Sequence, residues 1–318
     1  MRLDELPVWF LRVAAIWFGL IWGSFLNVVI YRVPREMSVV RPGSHCPGCG
    51  KPVAAFDNVP VLSYLVLRGR ARCCGAKMSP RYPIVELIGG ALSLAILEVI
   101  VLGLPGSTTV GRAAAIYGAD FALCMGLVAA AFIDAEHMFL PDSITLGGLV
   151  LGVATASLRD MTLAESVVGA AAGFLGVWLP FTFLYKVLLG RTGMGMGDAK
   201  LVALAGAWFG WRGAVFALFA GAIQGSLYAG ALRLFGVQPE LPEAVQRDLE
   251  ELRRAAEEGD EEAKRLLEED PLAEDLENDA PRARIPFGPF LILACLELLF
   301  AGPWIWARLG PLLGGPVD

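Results

Sequence analysis

What most constrains this chain is the recurrence of apolar runs long enough to cross about 30 Å of hydrocarbon. They fall near residues 8–30, 83–104, 113–133, 143–158, 164–189, 199–211, 214–235 and 286–307. In lipid every backbone N–H and C=O must be satisfied within the protein, which leaves helices or closed barrels. Runs of this length predict helices, so the expected fold is an all-α polytopic membrane protein, a bundle of about eight transmembrane helices. The composition agrees. The chain has 318 residues, 56% of them hydrophobic and 18% charged, and its mean hydropathy of +0.58 is hard to reconcile with a soluble globule. The first apolar run lacks a basic leader region and a small-residue cleavage site, so it reads as a retained first helix rather than a signal peptide.

Charge divides the rest. Residues 240–284 hold 17 Asp and Glu against 7 Lys and Arg, a local charge of 7 − 17 = −10. The remainder carries 19 − 15 = +4. Its basic residues concentrate in 31–82, among them Arg32, Arg35, Arg41, Lys51, Arg68, Arg70, Arg72, Lys77 and Arg81. The positive-inside rule makes that loop cytoplasmic and puts the N-terminus outside. Counting spans onward, 134–142, 190–198 and 236–285 also face the cytoplasm. Five regions follow: a first transmembrane helix (1–30), a Cys-containing loop (31–82), a transmembrane core (83–235), an acidic insert (236–285), and a last helix with the C-terminus (286–318). The acidic insert has helix-forming composition, with breaks expected near Gly259 and Asp270-Pro271, and its charge reads as solubilising.

Four of the six cysteines, Cys46, Cys49, Cys73 and Cys74, lie in the loop. Cytoplasmic thiols stay reduced, which favours metal ligation over disulfides. Cys46-Pro-Gly-Cys49 has the spacing of a zinc knuckle; the alternative is a loop that folds without metal. Cys124 and Cys295 fall within apolar runs and read as small hydrophobes.

Carboxylates at membrane depth are costly unless paired or hydrated, so each is a functional candidate: Glu86, Glu98, Asp120, Asp134, Asp142, Glu165, Asp198 and Glu297. The span count puts Asp134, Asp198 and Glu86 near the cytoplasmic face. Asp120 lies 14 residues before Asp134, about 21 Å away along a helix. Two carboxylates at one depth can share a proton, one activating a water while the other polarises a carbonyl. This is the requirement for aspartyl proteolysis, and it needs no metal or cofactor. The glycines of GMGMGD (193–198) would let the backbone kink and approach a substrate. The same pattern also fits a flexible turn whose aspartate caps the following helix.

FIDAEHMFLPD (132–142) together with GMGDAKLVALAGAWFGW (195–211) resembles the type IV prepilin leader peptidases, within the wider GxGD class of intramembrane aspartyl proteases. GSFLNVVIYRVP (23–34), CPGC (46–49), SPRYPIVEL (79–87) and IPFGPFL (285–291) are similar to the same family in the same order. The resemblance covers nearly the whole chain except 240–284, and makes 83–235 the peptidase core. It implies catalysis by Asp134 and Asp198, with Gly195, Gly197, Lys200, Asp142 and Glu86 supporting. Asp142 also has the shape of an N-cap, and Lys200 that of an interfacial snorkelling lysine. The resemblance further implies N-methylation of the new N-terminal residue, usually Phe, from S-adenosylmethionine. That activity is associated with the Cys loop and with Gly23, Ser24, Phe25, Asn27 and Arg32. No Rossmann fingerprint for the cofactor is present. Family members usually carry a second Cys-x-x-Cys, whereas here Ala71 stands at its first position and Cys73 adjoins Cys74. Two adjacent cysteines ligate one zinc less comfortably than a spaced pair. Cys46, Cys49 and Cys74 are then the better ligands, with Cys73, His45 or water as the fourth.

The expected protein is thus a bifunctional peptidase and methyltransferase of a bacterial inner membrane, with its active site facing the cytoplasm. Its partners are prepilins or type II secretion pseudopilins, the lipid bilayer and, as an open possibility, a second copy of itself; no nucleic acid is expected. Two other classes stay open on the residues alone: an ion-coupled transporter or channel using the intramembrane carboxylates, and a non-catalytic secretion scaffold.

Overall fold

A computed structural model describes residues 2–190, 193–237, 240–269 and 285–310. Among the described residues the structure is helical, with isolated bridges but no strand. Six helices are long and apolar enough to cross a membrane: Val8–Arg35, Arg81–Val101, Val110–His137, Leu163–Leu189, Met196–Leu234 and Gly288–Leu309. A shorter apolar helix, Asp142–Ala154, is inserted between the third and fourth.

The regular α segments are α1 (Val8–Arg32), α2 (Leu62–Val66), α3 (Arg81–Ala95), α4 (Val110–His137), α5 (Asp142–Ala154), α6 (Leu163–Val177), α7 (Tyr185–Leu189), α8 (Met196–Leu234), α9 (Glu243–Glu257), α10 (Glu261–Glu269) and α11 (Gly288–Leu309). π-helical turns extend α3 through Ile96–Val101 and join α6 to α7 through Trp178–Leu184. All eight apolar runs are helical, but not as eight separate spans. The runs 199–211 and 214–235 belong to one element, α8, interrupted at Gly210.

Gly210 has φ 71° and ψ 179°, a region essentially reserved for glycine. The chain doubles back there. A Cβ on Gly173 of α6 would lie 2.5 Å from Val202 O and 3.1 Å from Ala214 Cβ. Twelve residues of straight helix would separate those two by about 18 Å. The return half then runs antiparallel to α11, Gly213 beside Leu298 and Gly221 beside Leu291.

The first half of α8 is buried on every side from Leu201 to Trp208, the pattern of a central helix. It packs among α5, α6 and α11. Its crossing with α6 is backbone against backbone, Gly206 on Gly169, with no room for a side chain on either. A second close crossing joins α1 to α3 through Gly19, Gly23 and Gly89. Outward-facing Trp9, Val150, Leu188 and Leu227 stay exposed, as a lipid-facing surface would be.

The two ends of the bundle are distinct. At one end Leu3 N–H donates to Thr108 O at 3.0 Å, and Arg112 pairs with Asp160 at 3.2 Å. The opposite end gathers the Cys loop, the α4–α5 turn, the start of α8, and α9. Val245 and Leu249 of α9 pack on Met138. Gly259 separates α9 from α10 with φ +99°, as expected, whereas the break expected at Asp270-Pro271 lies outside the described residues.

Candidate active site

α4 closes on Met138, whose left-handed φ of 55° and N–H bond to Asp134 O (2.9 Å) turn the chain and fix Asp134 in the last turn. The Asp134 side chain is only 6% exposed. Gly288, which opens α11, donates its backbone N–H to Asp134 Oδ2 at 3.0 Å. The absence of a side chain is essential there, since a Cβ on Gly288 would stand 2.6 Å from that oxygen.

Asp198 is the third residue of α8, and Gly195 is its N-cap. The Gly195 backbone N–H lies close enough to act on the Asp198 carboxylate, and a Cβ on Gly195 would stand 3.6 Å from Asp198 Oδ2. The Asp134 charge also acts directly on Asp198. Leu140 lies between the two elements: a Cβ on Gly197 would stand 3.2 Å from Leu140 Cβ, and one on Gly288 would stand 3.2 Å from Leu140 Cδ2. Two carboxylates, each steadied by a glycine N–H, therefore meet at one depth. Two carboxylates so placed can share one proton, which would supply a base and an acid together.

Three details of the sequence reading need correction. The kink expected at GMGMGD draws on no positive φ: none of Gly193, Gly195 and Gly197 has one, and Gly195 is extended at φ −68°, ψ 151°. They contribute smallness, Gly197 against Leu140 and Gly193 against Tyr185. Asp142 is not an N-cap. Pro141 holds that position, no side chain caps α5, and Asp142 instead accepts an ion pair from Lys200 at 2.6 Å. This bond ties the start of α5 to the first turn of α8, so Lys200 is paired rather than snorkelling.

The remaining acids separate from the pair. Glu165 makes a capping box with Thr162, Glu98 pairs with Arg12 at 2.6 Å, and Glu297 accepts from Gln224 at 2.9 Å. Asp120 is buried farther along α4, within the electrostatic reach of Arg159.

Glu86 belongs elsewhere too. It lines a cavity of about 640 Å³ between α1, α3 and the Cys loop, together with Ser24, Asn27, Tyr31, Arg32, Tyr64 and Tyr82. Its carboxylate accepts the Val61 N–H at 2.7 Å. Asn27 donates Nδ2–H to Tyr82 O at 3.1 Å, and Arg32 donates to Ser38 O at 2.9 Å and Gly43 O at 3.2 Å, which ties α1 to the loop. Gly23 allows the α1–α3 approach beside Glu86. Phe25 is the exception in the GSFLN motif. It faces outward, its ring 5.6 Å from that of Trp22. Arg81 Nη1 bonds Glu136 at 2.6 Å, linking the start of α3 to the α4 turn that carries Asp134.

All four loop cysteines converge, with their sulfurs within 4.8 Å of one another. Cys46 and Cys74 are 3.6 Å apart, and Cys49 and Cys73 3.3 Å. Tetrahedral zinc with bonds near 2.3 Å needs sulfurs about 3.8 Å apart, so the set fits that ion. The loop folds as two matching knuckles. Gly50 N–H closes on Cys46 O at 2.9 Å and Gly75 N–H closes on Ala71 O at 2.8 Å, both glycines left-handed. Ala71 thus occupies the turn position of Cys46, and Cys73 brings its thiol to the cluster from inside the second turn. His45 is not among the clustered ligands. The Gly48 backbone N–H, its largest influence, lowers the Cys46 thiol to about 6. The hydrogen bond with Cys49, chiefly, pushes Cys73 up to about 12.

Sequence reasoning missed Gly288. The only signal was its glycine in IPFGPFL, immediately before the last apolar run.

Fold and site together define a polytopic helical membrane protein with paired aspartates and a four-cysteine insert at one end of the bundle. Comparison with known proteins adds the lineage. Residues 17–100 match the Bacterial Peptidase A24 N-terminal domain, and residues 121–230 match the Type IV leader peptidase family. A prepilin leader peptidase/N-methyltransferase of Myxococcus xanthus (strain DK1622) is 36% identical over 348 aligned positions, covering 99% of each chain. Proteins of the same name from Klebsiella pneumoniae (41% identical, 61% of this chain, 83% of the relative) and Dichelobacter nodosus (38%, 67% and 80%) are also similar. No solved structure matches. The chain belongs to the type IV leader peptidase family.

Proposed function

We propose that this protein is a membrane aspartyl endopeptidase that removes the leader of type IV prepilins or type II secretion pseudopilins and then N-methylates the new N-terminal residue. The observation that carries the reading is the convergence of Asp134 and Asp198, each against a glycine N–H, within a chain similar along its length to prepilin leader peptidase/N-methyltransferases. The deprotonated member of the pair takes a proton from water, and the protonated member donates a hydrogen bond to the scissile carbonyl. Collapse of the adduct releases the leader carboxylate and a new α-amine. Gly195 leaves room for an extended peptide beside Asp198, while the Asp142–Lys200 pair positions that turn.

The basic composition of the Cys loop supports a cytoplasmic position for this end of the bundle in a bacterial inner membrane. Methyl transfer is assigned to the cavity under the loop, where Ser24, Asn27, Arg32 and Glu86 meet. Its volume suits a drug-sized ligand, and Asn27 Oδ1 is buried there without a partner, which fits a polar ligand. S-adenosylmethionine, when bound, supplies the methyl group. Cys46, Cys49, Cys73 and Cys74 would hold zinc as a structural staple for the loop. Transport and scaffold roles are not favoured by the family match.

The test is co-expression with a prepilin, reading precursor and mature forms on a gel and the mature N-terminus by mass spectrometry. Mature, methylated product supports the reading, and unprocessed precursor with the unaltered protein contradicts it.

A further inference from the structure

We infer that Glu86 is the residue that binds the newly released α-ammonium of the substrate and takes its proton during methyl transfer. The inference deepens the methyltransferase reading above and rests on it. A methyltransferase acting on an N-terminus must solve a protonation problem. The α-amino group has a pKa near 8, so at neutral pH it is mostly an ammonium ion without a lone pair.

The cavity is built for such a cation. Glu86 is 7% exposed and makes no ion pair among the described residues; it accepts the Val61 N–H at 2.7 Å and interacts with the Ser24 hydroxyl. The other cavity acid, Asp57, is already paired with Arg72 at 2.9 Å. Of the basic residues that line the cavity, Arg32 has its guanidinium on Ser38 O and Gly43 O, Arg72 is taken by Asp57, and Arg70 is exposed on the loop. A buried carboxylate without a countercharge is costly unless a ligand supplies one. Asn27, 3% exposed, stands one helical turn from Ser24 on α1, and its Oδ1 has no donor. Glu86 and Asn27 are brought to one wall because Gly23 lies against Glu86 while Asn27 bonds Tyr82 O, one turn before Glu86 on α3. An ammonium ion has three N–H donors; the Glu86 carboxylate and Asn27 Oδ1 accept two. Tyr64 and Tyr82 line the same cavity and provide ring faces for a cation and for an apolar first side chain.

The chemistry balances. The ammonium gives one proton to Glu86, and the freed nitrogen lone pair forms a bond to the methyl carbon. The carbon–sulfur bond of the donor breaks with its electron pair going to sulfur, which becomes neutral. The product is a secondary methylammonium ion, which carries the positive charge lost by sulfur, and the proton leaves Glu86 for solvent.

The experiment uses the full chain in detergent, with Glu86→Gln compared against the unaltered protein and checked for matching elution and melting. Methyl transfer is followed on a synthetic peptide of the mature pilin N-terminus, which needs no cleavage. Binding of that peptide, with and without N-acetylation, is measured by calorimetry in the absence of methyl donor. The unaltered protein should prefer the free amine over the acetylated peptide, and Glu86→Gln should lose that preference. Its transfer rate at pH 7 should fall about 100-fold, and the deficit should shrink as pH rises past about 8, where the amine is already neutral. A deficit that stays constant with pH, an undiminished rate at pH 7, or an intact preference for the free amine would each overturn the assignment. If the unaltered protein itself neither methylates the peptide nor binds S-adenosylmethionine, the methyltransferase reading falls first and this inference with it.

Discussion

The aspartate pair and the Cys-loop cavity occupy the same end of the bundle, yet they are constructed in opposite ways. The pair is set by backbone: Gly288 and Gly195 offer N–H groups, and Gly169 against Gly206 holds α8 in place. No metal or long side chain is required. The cavity is set by side chains and a staple: Arg32 and Asn27 tie helix to loop, and four thiols gather the loop itself. A loop of this size buries too little apolar surface to hold its shape alone. A site embedded in packed helices can rely on glycine contacts, whereas one carried by a polar insert needs cross-links. One ion pair, Arg81–Glu136, joins the two.

The comparison breaks most visibly at the cysteines. For the proposed zinc, Cys46→Ser should reduce the metal content from about one per chain to none, because structural zinc in such sites supplies roughly 10–16 kcal/mol. Elemental analysis would show it. Methyl transfer to a pre-cleaved peptide should disappear, while prepilin cleavage continues; loss of both together would mean that the regions are not separable. Lowering pH should release the metal as the thiolates protonate. The converse change is Gly288→Ala. The new Cβ collides with Asp134 Oδ2, and a displacement of that order costs about 100-fold in cleavage. Methyl transfer to the pre-cleaved peptide should not change. Equal loss of both would dissolve the contrast. The smallest effect belongs to Asp142→Asn. Its partner Lys200 is held at 2.6 Å but Asp142 is exposed, and such pairs contribute about 0.2–1 kcal/mol. Cleavage kinetics should therefore change less than about fivefold.

Much of this could be read from the sequence, and the omissions share a cause. Apolar runs marked every long helix of the bundle, because membrane thickness imposes a length that composition reveals. Charge asymmetry and span counting brought Asp134 and Asp198 to one end. The doubling back at Gly210 showed only as a boundary between two short runs, since its positive φ is a property of packing on α6. Gly288 escaped because its bond to Asp134 spans 154 residues and involves only a backbone N–H. Glu86 was grouped with the aspartates by depth and by the resemblance of SPRYPIVEL. Depth does not say which face of α3 a residue occupies, and the α1–α3 crossing turns Glu86 toward the loop. Cys73 looked awkward as a ligand beside Cys74. The knuckle closed by Gly75 brings both thiols to the cluster, a result of turn geometry that spacing alone does not reveal.

The central claim is that Asp134 and Asp198 act as one unit on the leader peptide bond. The direct measurement is a gel-based cleavage assay with Asp134→Asn and Asp198→Asn, each inserted in the membrane at the level of the unaltered protein. The account predicts that either change alone leaves prepilin at precursor length, a loss of at least about 100-fold, and that combining them adds little. Processing at the unaltered rate by either single variant would contradict it.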